Sequence, residues 1–238
     1  MQKRQAKPRS PVPNQLGPMV LQAEPSSLEL DLSQTCMIIV DMQNAFLEEG
    51  AYFDLKGFDI ATLSKCIEPI RQVRDAVRGK GLRVIYVVTS HHPGDAGTGP
   101  DSVFWHKEAS LVLYREHPEY ADKLLLPGTW GTEIIRELAP KEGDEIVEKP
   151  RYSAFFDTKL DTVLKRHNLK YLLVTGIVTN CCVEATIRDA YYRGYFPILV
   201  SEAAAPAGPA YMHEAAIFNI TAYYGWVTKS ESLLTALK

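Results

Sequence analysis

The chain has 238 residues, a formal net charge of −3, 46% hydrophobic and 23% charged residues. That balance suits one globular α/β-sized domain able to bury roughly 70% of its unfolded surface without disulfide or metal staples, and it lacks the basic surplus that nucleic acid or an anionic membrane would attract. No run approaches the ~18 apolar residues of a membrane span, so a cytoplasmic protein that binds neither membrane nor nucleic acid is expected.

The chain opens on a basic segment, Met1-Gln-Lys-Arg, interrupted soon afterwards by Pro8, Pro11, Pro13 and Pro18. No apolar stretch of the signal-peptide kind follows. Residues 1–24 are read as a flexible tail or an arm lying on a neighbouring subunit, and 25–238 as the folded domain. Cys36-Met-Ile-Ile-Val40 is a continuous apolar run, the pattern of a strand covered on both faces. The spacing of Ile60, Leu63, Ile67, Ile70, Val73 and Val77 predicts an amphipathic helix over 59–79, stopped by Gly79 and Gly81. A second strand follows over 82–88. Residues 90–131, rich in Gly, Pro, His and aromatics, break the rhythm and read as an irregular insertion or lid. Alternation then resumes: a strand over 144–148, a helix over 156–168, a strand over 171–175, a helix over 181–194, a strand over 196–200, a helix over 209–222 and a last short strand over 225–228.

Such alternation predicts a three-layer, doubly wound (Rossmann-like) α/β domain, with a parallel six-stranded sheet of order 3-2-1-4-5-6. Ligands of such sheets bind beyond the carboxyl ends of the strands, so each strand end is a place to look for chemistry. Asp41 follows the first strand, as a cleft carboxylate or as a helix cap. Lys149 closes the third, as a site residue or as a solvated strand end. Cys182 follows the fourth, at a helix start where free N–H groups favour a thiolate; two buried structural cysteines are the alternative, a vicinal disulfide a third. In the expected order the first and fourth strands are neighbours, which brings Asp41 near Cys182 with Lys149 close enough to hold it ionised. Cys36 and Cys66 read as small buried hydrophobes. With no C-x-x-C pair and no histidine at zinc-finger spacing, neither a disulfide framework nor a zinc site is expected.

Four segments, "IIVDMQNAF", "EKPRYSAFF", "VTGIVTNCCVEATIRDAYYRGY" and "AAIFNITAYYGWV", resemble the isochorismatase-like cysteine hydrolases, which include nicotinamidases, N-carbamoylsarcosine amidohydrolases, biuret and triuret hydrolases and ureidoacrylate amidohydrolases. The resemblance runs from about residue 33 to the C-terminus. It implies a catalytic triad of Cys182, Asp41 and Lys149. It also implies a cis peptide between Ile177 and Val178, with an oxyanion hole formed by the N–H groups of Val178 and Cys182. The metal-binding Asp-x-His-x-x-His pattern of nicotinamidases is not matched by Thr89-Ser-His-His-Pro-Gly-Asp95, so no metal and no cofactor is expected. "KPRYSAFF", "KLLLPGTWGTEI" and "GWV" are most similar to the ureidoacrylate amidohydrolases; biuret or triuret hydrolysis is the alternative, and an N-carbamoylsarcosine-type or nicotinamide substrate a remoter one. The Cys181–Cys182 doublet and the basic tail depart from the ureidoacrylate pattern. The implied reaction cleaves a C–N bond of a small ureido compound through a thioester, releasing carbamate, and a homo-oligomer, dimer or tetramer, is implied as well. Candidate substrate contacts are Gln43, Asn44, Phe46 and Tyr152 beside the triad, with Trp105, His106 and Lys107 in the insertion. The competing readings are a thiol redox protein using Cys181–Cys182 and a binding protein that has lost its activity.

Overall fold

The computed structural model describes residues 16–238. Six parallel strands form the central sheet: β3 (Thr35–Val40), β4 (Arg83–Thr89), β5 (Glu145–Lys149), β6 (Tyr171–Ile177), β7 (Phe196–Ala205) and β8 (Trp226–Thr228). They follow a hairpin, β1 (Pro18–Leu21) with β2 (Leu28–Asp31). The sheet order is β5-β4-β3-β6-β7-β8. Setting the hairpin aside, this is the expected 3-2-1-4-5-6 order.

Helices cover both faces, and side-chain alternation explains how. From β3, Met37 and Ile39 point to one side, where they pack with Ile70, Val73 and Val77 of the helix Ile67–Gly79 and Leu233 of the helix Ser230–Ala236. Cys36, Ile38 and Val40 point to the other, against Leu160, Val163 and Leu164 of the helix Leu160–Arg166 and Ile187 of the helix Glu184–Tyr192. All six residues of β3 are therefore buried. Each such Val, Leu or Ile contributes roughly 1.5–3 kcal/mol by leaving water, which makes β3 the fixed point of the domain.

Several elements differ from expectation. The helix expected over 59–79 is two, Ile60–Ser64 and Ile67–Gly79. Pro69 sits in the first turn of the second, where its missing N–H does no harm, but its ring opposes a helix continuing through residue 65. The insertion is not wholly irregular: it carries the helices Val103–Lys107 and Ala109–Glu116. The expected tail covers residues 1–24, and of these 1–15 lie outside the described residues. The expectation fails for 18–24. Met19 and Leu21 are buried, and Glu24 exchanges two backbone hydrogen bonds with Val227, of 2.8 and 3.0 Å, which caps the β8 edge of the sheet. The C-terminal helix was not anticipated; it is only seven residues long. No described helix is long and apolar enough to cross a membrane.

One glycine lets the sheet close around the site. Gly176 in β6 pairs with Val40 at the end of β3 and has φ +106. A Cβ there would lie 2.1 Å from the Val40 carbonyl oxygen and 2.6 Å from its nitrogen. Backbone, not a flexible side chain, would have to yield. Gly176→Ala is expected to destabilise the fold by on the order of 4 kcal/mol, combining strain with the forbidden φ. Urea unfolding midpoints measure this, and a loss under about 1 kcal/mol would contradict the close-approach argument.

Candidate active site

The sheet order sets four consecutive strand ends in a row. Lys149 is the last residue of β5, Thr89 the last of β4, Asp41 follows β3, and Cys182 lies in the turn after β6. Thr89 and Lys149 are register partners. Asp41 adopts φ 55, a left-handed conformation that Asp tolerates better than most residues and that turns the chain out of the strand. All four are buried, Lys149 and Asp41 to 0% and 1% exposure. A lysine removed so completely from water needs partners.

The partners of Lys149 define the site. Its Nζ donates to Thr89 Oγ1 at 2.6 Å, to the Arg151 carbonyl at 3.0 Å and to Cys182 Sγ at 3.5 Å. It lies 2.9 Å from Asp41 Oδ2. The Thr89 hydroxyl, accepting from Lys149, passes its own proton to Asp41 Oδ1 at 2.8 Å. Oδ2 receives no hydrogen bond of good geometry, so its contact with Nζ is an ion pair and it keeps room to accept a proton. Burial works against the charge on Lys149, but the Asp41 carboxylate and Cys182 outweigh it and raise the lysine above its ordinary value.

Cys182 lies in a wide π-type turn, Thr179–Val183, that precedes the regular helix. Such turns are common where a backbone is shaped for function. The Val178 carbonyl accepts from the N–H groups of Cys181 and Val183, at 3.0 and 3.2 Å, which passes over the Cys182 N–H between them. The Ile177–Val178 peptide is cis. The thiol differs from the thiolate expected at a helix start: the contact with Cys181, burial and the Asp41 charge together raise Cys182 well above the ordinary thiol value, with Lys149 opposing. These groups favour the thiol form over the thiolate. Thr186 ties the two catalytic segments together, donating to the Cys182 carbonyl at 2.7 Å and accepting from the Ala154 N–H at 3.0 Å.

Above Cys182 opens a cavity of about 220 Å³. This is small beside the ~300–1,000 Å³ of sites for drug-sized ligands, so its occupant has few atoms. Phe46, Tyr52, Phe53 and Phe58 form one wall, in edge and tilted contacts with one another. Tyr152 lines it as expected, its hydroxyl pushed up to about 12 by burial and the nearby Glu108. Lys107 also lines it. Four expected contacts do not. Gln43 spends its amide on the Thr89 and Thr132 carbonyls and the Thr89 N–H; Asn44 donates to the Trp130 carbonyl at 2.9 Å. Both hold the loop that carries Asp41. His106 is exposed and bonds the Pro100 carbonyl, and Trp105 packs under the Arg115 guanidinium, 5.0 Å from its ring centre.

Thr89, Tyr52 and Glu108 were not foreseen. The strand-end rule that selects Asp41 also applies to Thr89, because the strand runs one residue past the apolar run that ends at Val88. Among the described residues, no group of three or more His, Cys, Asp or Glu side chains is arranged to hold a metal ion.

Comparison with known proteins agrees with this geometry. The isochorismatase domain model matches residues 35–232. The chain is 42% identical over 217 residues to the ureidoacrylate amidohydrolase RutB of Stutzerimonas stutzeri, covering 90% of this chain and 87% of that protein. Among solved structures it is similar to a cysteine hydrolase from Pseudomonas syringae pv. phaseolicola, with TM-score 0.72, 28% identity and coverage of 87% and 94% of the two chains. It is also similar to the N-carbamoylsarcosine amidase of Thermoplasma acidophilum, with TM-score 0.64, 28% identity and coverage of 83% and 97%. The chain belongs to the isochorismatase family and is one of its cysteine hydrolases.

The electrostatics make a prediction independent of turnover. Asp41→Asn removes a charge that holds the proton on Cys182 and leaves Lys149 facing the sulfur. Alkylation of Cys182 by iodoacetamide at pH 7, followed by peptide mass spectrometry, is expected to speed up in this variant, because more thiolate is present. An unchanged or slower rate would show that Asp41 does not govern the thiol.

Proposed function

We propose that this isochorismatase-family amidohydrolase cleaves the C–N bond of a terminal ureido group in a small compound, as the name of its ureidoacrylate-hydrolysing relative describes, with Cys182 as nucleophile. One observation carries the reading: Lys149 touches both Asp41 and Cys182 at the floor of the cavity, at 2.9 and 3.5 Å. Neither a solvated strand-end lysine nor a pair of structural cysteines requires that contact. The Cys181–Cys182 redox alternative leaves the contact of Lys149 with Cys182 and Asp41 without a role.

In the proposed mechanism Asp41 Oδ2 takes the Cys182 proton as the sulfur attacks the ureido carbonyl. The new C–S bond places negative charge on the carbonyl oxygen, and the N–H groups of Val178 and Cys182 stabilise it. Removing one such donor costs roughly 3–4 kcal/mol in comparable sites. Collapse breaks the C–N bond, and Asp41 returns its proton to the departing nitrogen. Water, deprotonated by Asp41, then displaces the sulfur from the thioester, the proton passes back to Cys182, and carbamate leaves to decompose into ammonia and CO₂. Lys149 sets its positive charge 2.9 Å from the Asp41 carboxylate, and the Thr89 hydroxyl, donating to Oδ1, fixes its orientation.

The insertion over 90–131 is the proposed lid, since His91, Lys107, Glu108 and Leu125 of the cavity wall come from it. We place the reaction in the cytoplasm, consistent with four free thiols, and in a homo-oligomer, for which the exposed cluster of Tyr191, Tyr192, Phe218 and Tyr223 offers an apolar face.

Ammonia release from ureidoacrylate and from biuret tests the reading. Cys182→Ser, with the fold retained, and Lys149→Ala, with stability lowered as well, are each expected to reduce kcat by about a thousandfold or more; a Cys182→Ser enzyme with full activity would end the nucleophile assignment. Thr89→Val removes only the hydroxyl linking Lys149 to Asp41. It is expected to lower kcat by roughly 10–100-fold, the equivalent of a buried hydrogen-bond pair. Unchanged kcat would show that Thr89 does not orient the base.

A further inference from the structure

Among the described residues lining the cavity, Glu108 is the only carboxylate and Lys107 the only lysine or arginine. They differ in setting. Lys107 is exposed, so water screens it. Glu108 is 5% exposed and precedes the helix Ala109–Glu116. Its two oxygens divide their work. Oε2 caps the helix, accepting from the Ser110 N–H at 2.8 Å, the Ser110 hydroxyl at 2.6 Å and the Leu111 N–H at 3.0 Å. Oε1 meets the Tyr52 hydroxyl alone, at a long 3.3 Å.

Among the described residues, no lysine or arginine forms an ion pair with this carboxylate. His91 Nε2 faces Oε2 at 3.6 Å, too far for a hydrogen bond. Burial, with the charges of Lys149 and Arg151, pushes that imidazole down to about 3, so it is neutral. Its Nδ1 is buried without a partner and accepts a hydrogen bond in the tautomer that carries the proton on Nε2. The cavity wall thus offers one under-used acceptor in Glu108 Oε1, a second in that tautomer of His91, and a carboxylate with no lysine or arginine paired to it among the described residues. Buried acceptors left unpaired are costly. A ligand rich in N–H groups would satisfy them; a carboxylate would set a second negative charge against the first. Capping does not account for Glu108, since the shorter Ser, Asp or Asn caps a helix as well or better and would leave the cavity wall neutral or recessed.

We propose that Glu108 determines the substrate's tail: it accepts hydrogen bonds from N–H groups at the end remote from the scissile bond, and so selects small ureides whose tail is an uncharged amide or second ureide over those whose tail is a carboxylate. This deepens the proposed function and rests on Cys182 as nucleophile there.

The test measures kcat and KM of the full chain on biuret, with an uncharged tail, and on ureidoacrylate, with a carboxylate tail. The wild type is expected to show the higher kcat/KM on biuret, by about tenfold or more. Glu108→Gln keeps the size and removes the charge, while Glu108→Asn retains a side chain that caps the helix. Both are expected to raise KM for biuret and to narrow the biuret-to-ureidoacrylate ratio by about tenfold. An equal loss on both substrates in both variants would mean that Glu108 serves only the helix, and the proposal falls. Wild-type preference for ureidoacrylate also overturns it while leaving the Cys182 reading intact. Turnover of neither probe overturns both.

Discussion

A lysine with no exposed surface holds this site together, and much of the domain is arranged so that it can. Taking an ammonium out of water costs several kcal/mol even after relaxation, and the cost is recovered only when a counter-charge and further hydrogen bonds are in place. Lys149 has Asp41, the Thr89 hydroxyl, the Arg151 carbonyl and the Cys182 sulfur around it. These four groups come from four segments far apart in the chain. Loss of one partner from a buried pair typically costs roughly 3–5 kcal/mol, so fold and reactivity share the same contacts.

The sheet supplies the geometry. Parallel strands all end on one edge, and the order β5-β4-β3-β6 sets Lys149, Thr89, Asp41 and the Cys182 turn side by side. Two backbone conformations complete the arrangement: the positive φ of Asp41, which turns the chain as it leaves β3, and that of Gly176, which lets β6 press against Val40. Gln43, Asn44 and Thr186 then fix the loops by hydrogen bonds to carbonyls. These residues hold the reacting groups in place without lining the cavity.

Much of this was legible in the residues. A continuous apolar run predicts a strand buried on both faces, strand–helix alternation predicts the sheet, and the sheet order alone brings Asp41 toward Cys182. What stayed hidden depended on contacts that periodicity does not encode. The 59–79 helix breaks because Pro69 outweighs an otherwise good apolar stripe. Gln43 and Asn44 are polar residues beside a catalytic aspartate, which reads as substrate binding until their carbonyl partners are seen. The hairpin at residues 18–31 packs through Met19, Leu21 and Leu30, too few positions to give a pattern. Glu108 directly follows His106 and Lys107, a basic local pattern that gives no sign of the burial that sets this carboxylate against the cavity.

The state of Cys182 links the site's chemistry to its electrostatics. A thiolate at rest would be a standing target for oxidants and alkylating agents. Here the Asp41 charge opposes the thiolate; in the proposed mechanism the same carboxylate accepts the thiol proton, so deprotonation is favoured only as the sulfur's charge passes into a bond with the substrate carbon. Lys149 opposes Asp41 in this balance: it stabilises negative charge on either partner and therefore lowers the cost of moving a proton between them. A histidine in that position would itself titrate near neutral pH; a lysine raised by its anionic partners does not. In the proposed mechanism one proton moves between the Asp41 carboxylate and the Cys182 sulfur beside the fixed positive charge of Lys149, which contacts both, and that arrangement suits a nucleophile that must attack and then be expelled at the same atom.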